Sequence, residues 1–199
     1  AGRVVAARGG GAGGLILRGT RRARTSAAGT GFRNLHLWRP GYPVDGSRLF
    51  TDEWEALMSR FDAVRFMDWG STDRNPVGSW ADRRRPGTAN PGDKTVGERT
   101  GDPGLPLEYM VALCNRTGTD AWINVPVMAD STYVTNLVKL VLHGSDGRDP
   151  YANDQTEPVW EPLQPGLRLY LEHGDELWNI LGSHDAVQWF HDQSEAMRV

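Results

Sequence analysis

From Phe32 onward, short apolar runs alternate with segments whose apolar residues recur every three or four positions. This alternation restricts the fold more than any other feature of the chain. Residues 32–38 (Phe-Arg-Asn-Leu-His-Leu-Trp) alternate apolar and polar side chains and stop at Arg39-Pro40-Gly41, which reads as a strand and a turn. Thr51 is placed to cap a helix with Asp52 and Glu53 in its first turn. Trp54, Leu57, Met58 and Phe61 then make one buried stripe. Residues 63–67 read as a second strand ending at Asp68 and Trp69. Pro106 opens a helix that carries Met110, Val111, Leu113 and Cys114, and Gly118 ends it. Residues 121–126 are a third strand. Asp130 or Ser131 caps the next helix, whose apolar face is Tyr133, Val134, Leu137, Val138 and Val141, and Gly144 closes it. A fourth strand is expected over residues 167–172, and a last helix, capped by Ser183, contains Val187, Trp189 and Phe190.

Strands separated by helices must be joined by crossovers, so the expected fold class is α/β with a parallel sheet. A complete eight-unit barrel takes about 250 residues, and this chain has 199. The expectation is therefore four β/α units, a parallel half barrel of TIM-barrel type, over residues 32–199. Residues 1–31 are rich in Gly, Ala and Arg and hold no acidic residue, which reads as a flexible leader. Residues 70–104 form a polar loop dense in Gly, Pro, Asp and Arg, long enough to signal a functional or mobile element. A second loop spans residues 145–166.

Several function classes are disfavoured by composition. The net charge of −3 gives no general attraction to nucleic acid or an anionic membrane, and the basic leader lacks interleaved aromatics. No stretch reaches the roughly 20 apolar residues of a membrane span. Cys114 is the sole cysteine, so it forms no intrachain disulfide and is expected to pack as a small hydrophobe. No His-x-x-x-His pair and no phosphate-binding glycine loop occurs, so neither a metal nor another cofactor is expected. Arg83-Arg84-Arg85 reads as a solvated basic run. The chain starts at Ala1 without an intact signal peptide, as a mature form or a fragment would. Eight tryptophans serve either a core or flat stacking platforms for sugars. Trp54 and Trp189 suit the core, whereas Trp69, Trp80 and Trp178 suit either role.

In parallel α/β folds the reactive groups collect at the carboxyl ends of the strands. Here those ends carry His36 and Trp38, then Arg65, Asp68 and Trp69, then Asn124 and Pro126, and finally Glu172, His173, Asp175 and Glu176. Polar groups converging on one face suit a substrate with many hydroxyls. Arg65 sits in an apolar strand and needs a charged partner. Glu172, with the same strand parity as Glu176 but deeper, is available to it, so an ion pair and a substrate contact both remain open for Arg65.

Three segments in this order, Val-Arg-Phe-Met-Asp-Trp (64–69), Trp-Ile-Asn-Val-Pro (122–126) and Tyr-Leu-Glu-His-Gly-Asp-Glu-Leu-Trp-Asn (170–179), resemble the first half of a clan-A type (β/α)8 glycoside hydrolase. They are most similar to bacterial secreted relatives whose fourth strand ends in a Ser-Asn-Glu-Val-Trp-Asn-like motif. The resemblance covers residues 32–199. It implies hydrolysis of a β-linked polysaccharide outside the cytoplasm, with Glu176 as general acid/base. Arg65, Asp68, Trp69, Asn124, Asp175 and Trp178 would line the substrate. The family's nucleophile comes from strand seven, beyond these four units; Asp68 and Glu172 are the substitutes within reach. Asp175 departs from the family's Asn, whose amide donates to a sugar hydroxyl, whereas a carboxylate only accepts. The rival expectation is a non-catalytic carbohydrate-binding or assembly module. The open edges of a half barrel would suit pairing with a second copy.

Overall fold

The computed structural model describes residues 25, 41–43, 45–88, 102–178 and 185–197. The expected first strand (32–38) and most of the leader lie outside these residues. Two compact units divide the chain, Ala1–Asp45 and Gly46–Val199, and the architecture below belongs to the second.

Among the described residues, three parallel strands and five α-helices alternate in an α/β arrangement. In chain order they are α1 (Asp52–Met58), β1 (Ala63–Arg65), α2 (Met67–Gly70), α3 (Leu107–Thr117), β2 (Asp120–Val125), α4 (Ser131–His143), β3 (Leu169–His173) and α5 (Asp185–Ala196). The three strands correspond to the expected second, third and fourth. They lie in the order β1-β2-β3, with Arg65 beside Trp122, Trp122 beside Tyr170, and Asn124 beside Glu172.

Local signals set the helix ends. The Thr51 hydroxyl accepts the Trp54 amide at 3.3 Å, and the Asp130 carboxylate accepts the Tyr133 amide at 2.7 Å. Each satisfies an amide that the first helical turn leaves without a partner. Gly118 adopts φ +70° after α3, a left-handed terminus that a residue with a Cβ rarely takes. Period-two alternation sends Ala121, Ile123 and Val125 of β2 into the core, where they join Leu107, Met110, Val111, Leu113 and Cys114 of α3 and Tyr133, Leu137, Leu140 and Val141 of α4. Burying each of the larger aliphatic side chains contributes roughly 1.5–3 kcal/mol of transfer free energy. Cys114 packs in this core as expected, and burial pushes its thiol up to about 11.

Other expectations are corrected. Strand β1 stops at Arg65 instead of running to Met67, and Asp68 and Trp69 lie in the short helix α2. The chain turns there because Trp69 packs on Phe50, Trp54 and Phe66, with ring centroids 5.4–6.4 Å apart, while the Gly70 amide closes onto the Phe66 carbonyl at 2.7 Å. The stripe expected on α1 is incomplete. Trp54 and Met58 are half-buried, but Leu57 is exposed, and Phe61 falls beyond the helix end and is exposed too.

Residues 89–101 of the expected loop lie outside the described residues; residues 71–88 are more regular than their composition suggests. They contain 3₁₀ turns at Thr72–Arg74 and Trp80–Asp82, and α5 packs against the first of these. Arg83 and Arg84 are buried, not solvated. Arg83 makes a two-pronged ion pair with Glu108 of α3 at 2.8 and 3.1 Å, and its guanidinium lies 4.2 Å from the Trp80 ring. Ser145 adds a hydrogen bond to the same Glu108 carboxylate at 2.9 Å, and Arg84 pairs with Asp102 at 2.8 Å. Trp80 is therefore a core residue, wedged between Arg83 and Tyr133, with its indole N–H donated to the Arg148 carbonyl.

Side-chain exposure of Arg83 and Glu108 is 3 % and 0 %. Removing one partner leaves a buried charge uncompensated, at a cost of about 3–5 kcal/mol. Arg83→Met and Glu108→Leu are each expected to destabilise by that amount in urea denaturation, and the double variant by distinctly less than the sum. Additive losses would show that the two side chains act separately.

Candidate functional site

One face of the sheet carries the aliphatic residues, buried at Ala121, Ile123 and Val125 and exposed at Leu171; the other carries Arg65, Trp122, Asn124, Tyr170 and Glu172. Their shared face follows from strand parity, because residues two apart point the same way. The centre of this face is Glu172. Its Oε2 accepts Arg65 Nε, Trp122 Nε1 and Asn124 Nδ2, each at 2.9 Å, and its Oε1 accepts Arg65 Nη2 at 2.8 Å. Burial pushes the Glu172 carboxyl up, but the Arg65 hydrogen bonds and charge, with the indole and amide donors, outweigh it. The net effect holds Glu172 below its ordinary 4.5. On Arg65 burial acts in the opposite sense, lowering its pKa, and the hydrogen bonds and charges of Glu172 and Asp175 raise it further than that. The guanidinium also lies 5.3 Å from the centre of the Trp122 ring.

The residues after β3 are tied to the same network. Asp175 has a 6 % exposed carboxylate and accepts Arg65 Nη2 at 2.5 Å. Asn124 Nδ2 donates a second bond, to the Gly174 carbonyl, at 2.8 Å. The Gly174 amide bonds the Val125 carbonyl at 2.9 Å, and its φ of +68° suits a glycine. A Cβ there would meet Val127 Cγ2 at 2.7 Å. Glu176 follows with φ +39°, a left-handed conformation uncommon for a residue with a side chain. Glu176 is exposed, and so is Trp178.

The expected site residues thus separate into groups. Arg65, Asn124 and Asp175 come together with Glu172, and Glu176 and Trp178 follow directly in the chain. Asp68 is exposed on α2, while Trp69 is half-buried in its aromatic cluster. A pocket of about 350 Å³ is lined by Trp54, Met58, Val64, Arg65, Asp68 and Trp69, among others, but by neither Glu172 nor Glu176. Trp122 and Tyr170 were not singled out from the sequence as site residues. The signal was present: each lies two positions before a polar residue on the same strand face. Among the described residues no group of three or more His, Cys, Asp or Glu side chains is placed to hold a metal ion, and no helix is long and apolar enough to cross a membrane.

No family model, curated protein or solved structure matches the chain.

Because the folded pKa of Glu172 is depressed, the unfolded chain takes up the proton first as pH falls. The stabilisation is complete above 4.5 and is lost as pH drops through the folded value. Melting temperature is expected to decline between about pH 5 and pH 3, and Glu172→Gln to flatten that decline while lowering stability at neutral pH. An unchanged acid limb in the variant would remove Glu172 as its source.

Proposed function

We propose that the three described strands belong to a (β/α) half barrel of four units, and that this half barrel carries one catalytic carboxylate of a glycoside hydrolase acting on a β-linked polysaccharide. Glu176 protonates the leaving oxygen. The observation that carries the reading is the division of labour among three acidic residues at the carboxyl end of β3. Glu172 is engaged by four donor contacts and Asp175 is buried against Arg65, whereas the Glu176 side chain is exposed to solvent. The exposed indole of Trp178, two residues on, offers a flat apolar surface of the kind that stacks on a sugar ring. Arg65 and Asn124 hold this end of the sheet, and Asp68 and Trp69 border it from α2.

Glycoside hydrolysis needs a second carboxylate about 5–5.5 Å away for retention or about 6.5–9.5 Å away for inversion. The same observation argues against Glu172 in that role, because a carboxylate committed to Arg65 is a poor nucleophile. Strands added at β1 or β3, from this polypeptide or from a second copy, would supply it. The engagement of both Glu172 and Asp175 by Arg65 also favours a second reading, a carbohydrate-binding module without turnover.

Replacing a general acid matters most where the leaving group is poor. Glu176→Gln is expected to lose roughly 10²–10⁴-fold in hydrolysis of alkyl glycosides and oligosaccharides, and far less on activated aryl glycosides. Initial rates on a matched leaving-group series measure this. Equal rates for parent and variant would overturn the assignment, and oligosaccharide binding without turnover in either protein would establish the binding module.

A further inference from the structure

We propose that Asp175 is a positioning residue for Glu176, acting through Arg65, and that it makes no contact with substrate. The inference rests on the reading of Glu176 as the proton donor. Its basis is a closed ring of contacts that runs through all three strands. Arg65 of β1 grips Glu172 of β3, Glu172 accepts from Asn124 of β2, and Asn124 bonds the Gly174 carbonyl. Gly174 is joined covalently to Asp175, and Asp175 returns to Arg65. Every link is a hydrogen bond of 2.5–2.9 Å or a peptide bond. Glu176 leaves the ring at the next residue.

The strain at Glu176 gives the ring a purpose. A left-handed residue with a Cβ costs about 1–2 kcal/mol and persists only where its surroundings over-determine it. Asp175 is the last side chain before that residue, and its carboxylate is turned inward and nearly covered. An amide at this position can donate to a sugar hydroxyl; a carboxylate cannot, but it can take a charged donor from Arg65. The acidic residue therefore exchanges a substrate contact for a firmer anchor on the adjacent carboxylate. A displacement of about 1 Å at a reacting group can cost 10²-fold in rate.

Two measurements on the full chain test this. The first is a stability cycle that needs no activity. Glu176→Gly, measured against Glu176→Ala so that the carboxylate's own contact is absent from both, relieves the left-handed strain and is expected to raise the folding equilibrium constant roughly 5-fold where Asp175 is kept. In an Asp175→Ala background, where the turn is free to relax, the same change is expected to shift it by less than about 2-fold. An equal gain in both backgrounds would overturn the proposal.

The second is a split between kcat and KM. Asp175→Ala is expected to lower kcat roughly 10²-fold with KM unchanged. Asp175→Asn, which keeps an acceptor for Arg65, is expected to lose less. A raised KM at constant kcat, or a gain in kcat/KM for Asp175→Asn, would mean that this side chain faces substrate. Turnover that Glu176→Gln leaves intact would instead remove the catalytic reading, and the stability cycle would still decide whether Asp175 holds the turn. Should Asp175→Ala fail to fold, Asp175→Leu, which also removes the acceptor for Arg65 while filling the buried space, carries both measurements.

Discussion

Arg65 has to reach across a whole strand, and the geometry of this sheet follows from that. Neighbouring strands lie about 4.8 Å apart, so a side chain on β1 meets one on β3 only if it is long, starts from the same face and finds the strand between them in register. The pairing of Asn124 with Glu172 and of Arg65 with Trp122 provides that register. The guanidinium then lies beside the Trp122 ring and ends on Glu172, in the planar two-pronged geometry that suits arginine and that lysine cannot reproduce. A shift of β3 by one residue would turn Glu172 to the aliphatic face and leave Arg65 without its main partner.

A second arginine–carboxylate pair works differently. Arg83 and Glu108 are almost fully enclosed, whereas Arg65 and Glu172 remain about one third exposed. Enclosure makes the first pair expensive to break, though not necessarily stabilising relative to an apolar replacement. Its structural effect is to seat the segment after α2 on the first turn of α3, with Trp80 and Ser145 completing the enclosure. Partial exposure of the second pair keeps its energy modest and its geometry reachable by solvent or ligand. The buried pair organises the loop, and the exposed one organises the candidate site.

At the carboxyl end of β3 the carboxylates differ in burial and in the groups that hold them. Three acidic residues within five positions would be equivalent candidates if only their types mattered. Burial and backbone conformation separate them: Glu172 is a hub of four donor contacts, Asp175 is buried against Arg65, and Glu176 is exposed on a left-handed turn. The departure of Asp175 from the amide of the resembled family belongs to the same logic. Within this ring a carboxylate beside a guanidinium is the better-matched partner, and its burial follows from that match.

Much of the fold was legible because its signals act over a few residues. The Thr51 and Asp130 caps, the start of α3 after Pro106 and its end at Gly118, and the burial of Met110, Leu113 and Leu137 all follow from local hydrogen bonding and helical period. The parallel order of the strands follows from the same alternation, since each strand must be reached by a crossover. The partnership of Arg65 with Glu172 was open in the sequence as one of two readings. What only the tertiary structure decided is where charges and rings from distant segments meet. Arg83 and Glu108 are 25 residues apart and Arg65 and Glu172 are 107 apart, so no local period relates them. The apparent solvated run at Arg83–Arg84 became a buried anchor, and the expected strand end at Trp69 became a helix turned by aromatic packing. The sequence determined α3, β2 and α4 and their buried faces, because caps and periodicity are local. The tertiary structure decided which polar groups are buried together and which are exposed, because that depends on register and on packing between segments far apart in the chain.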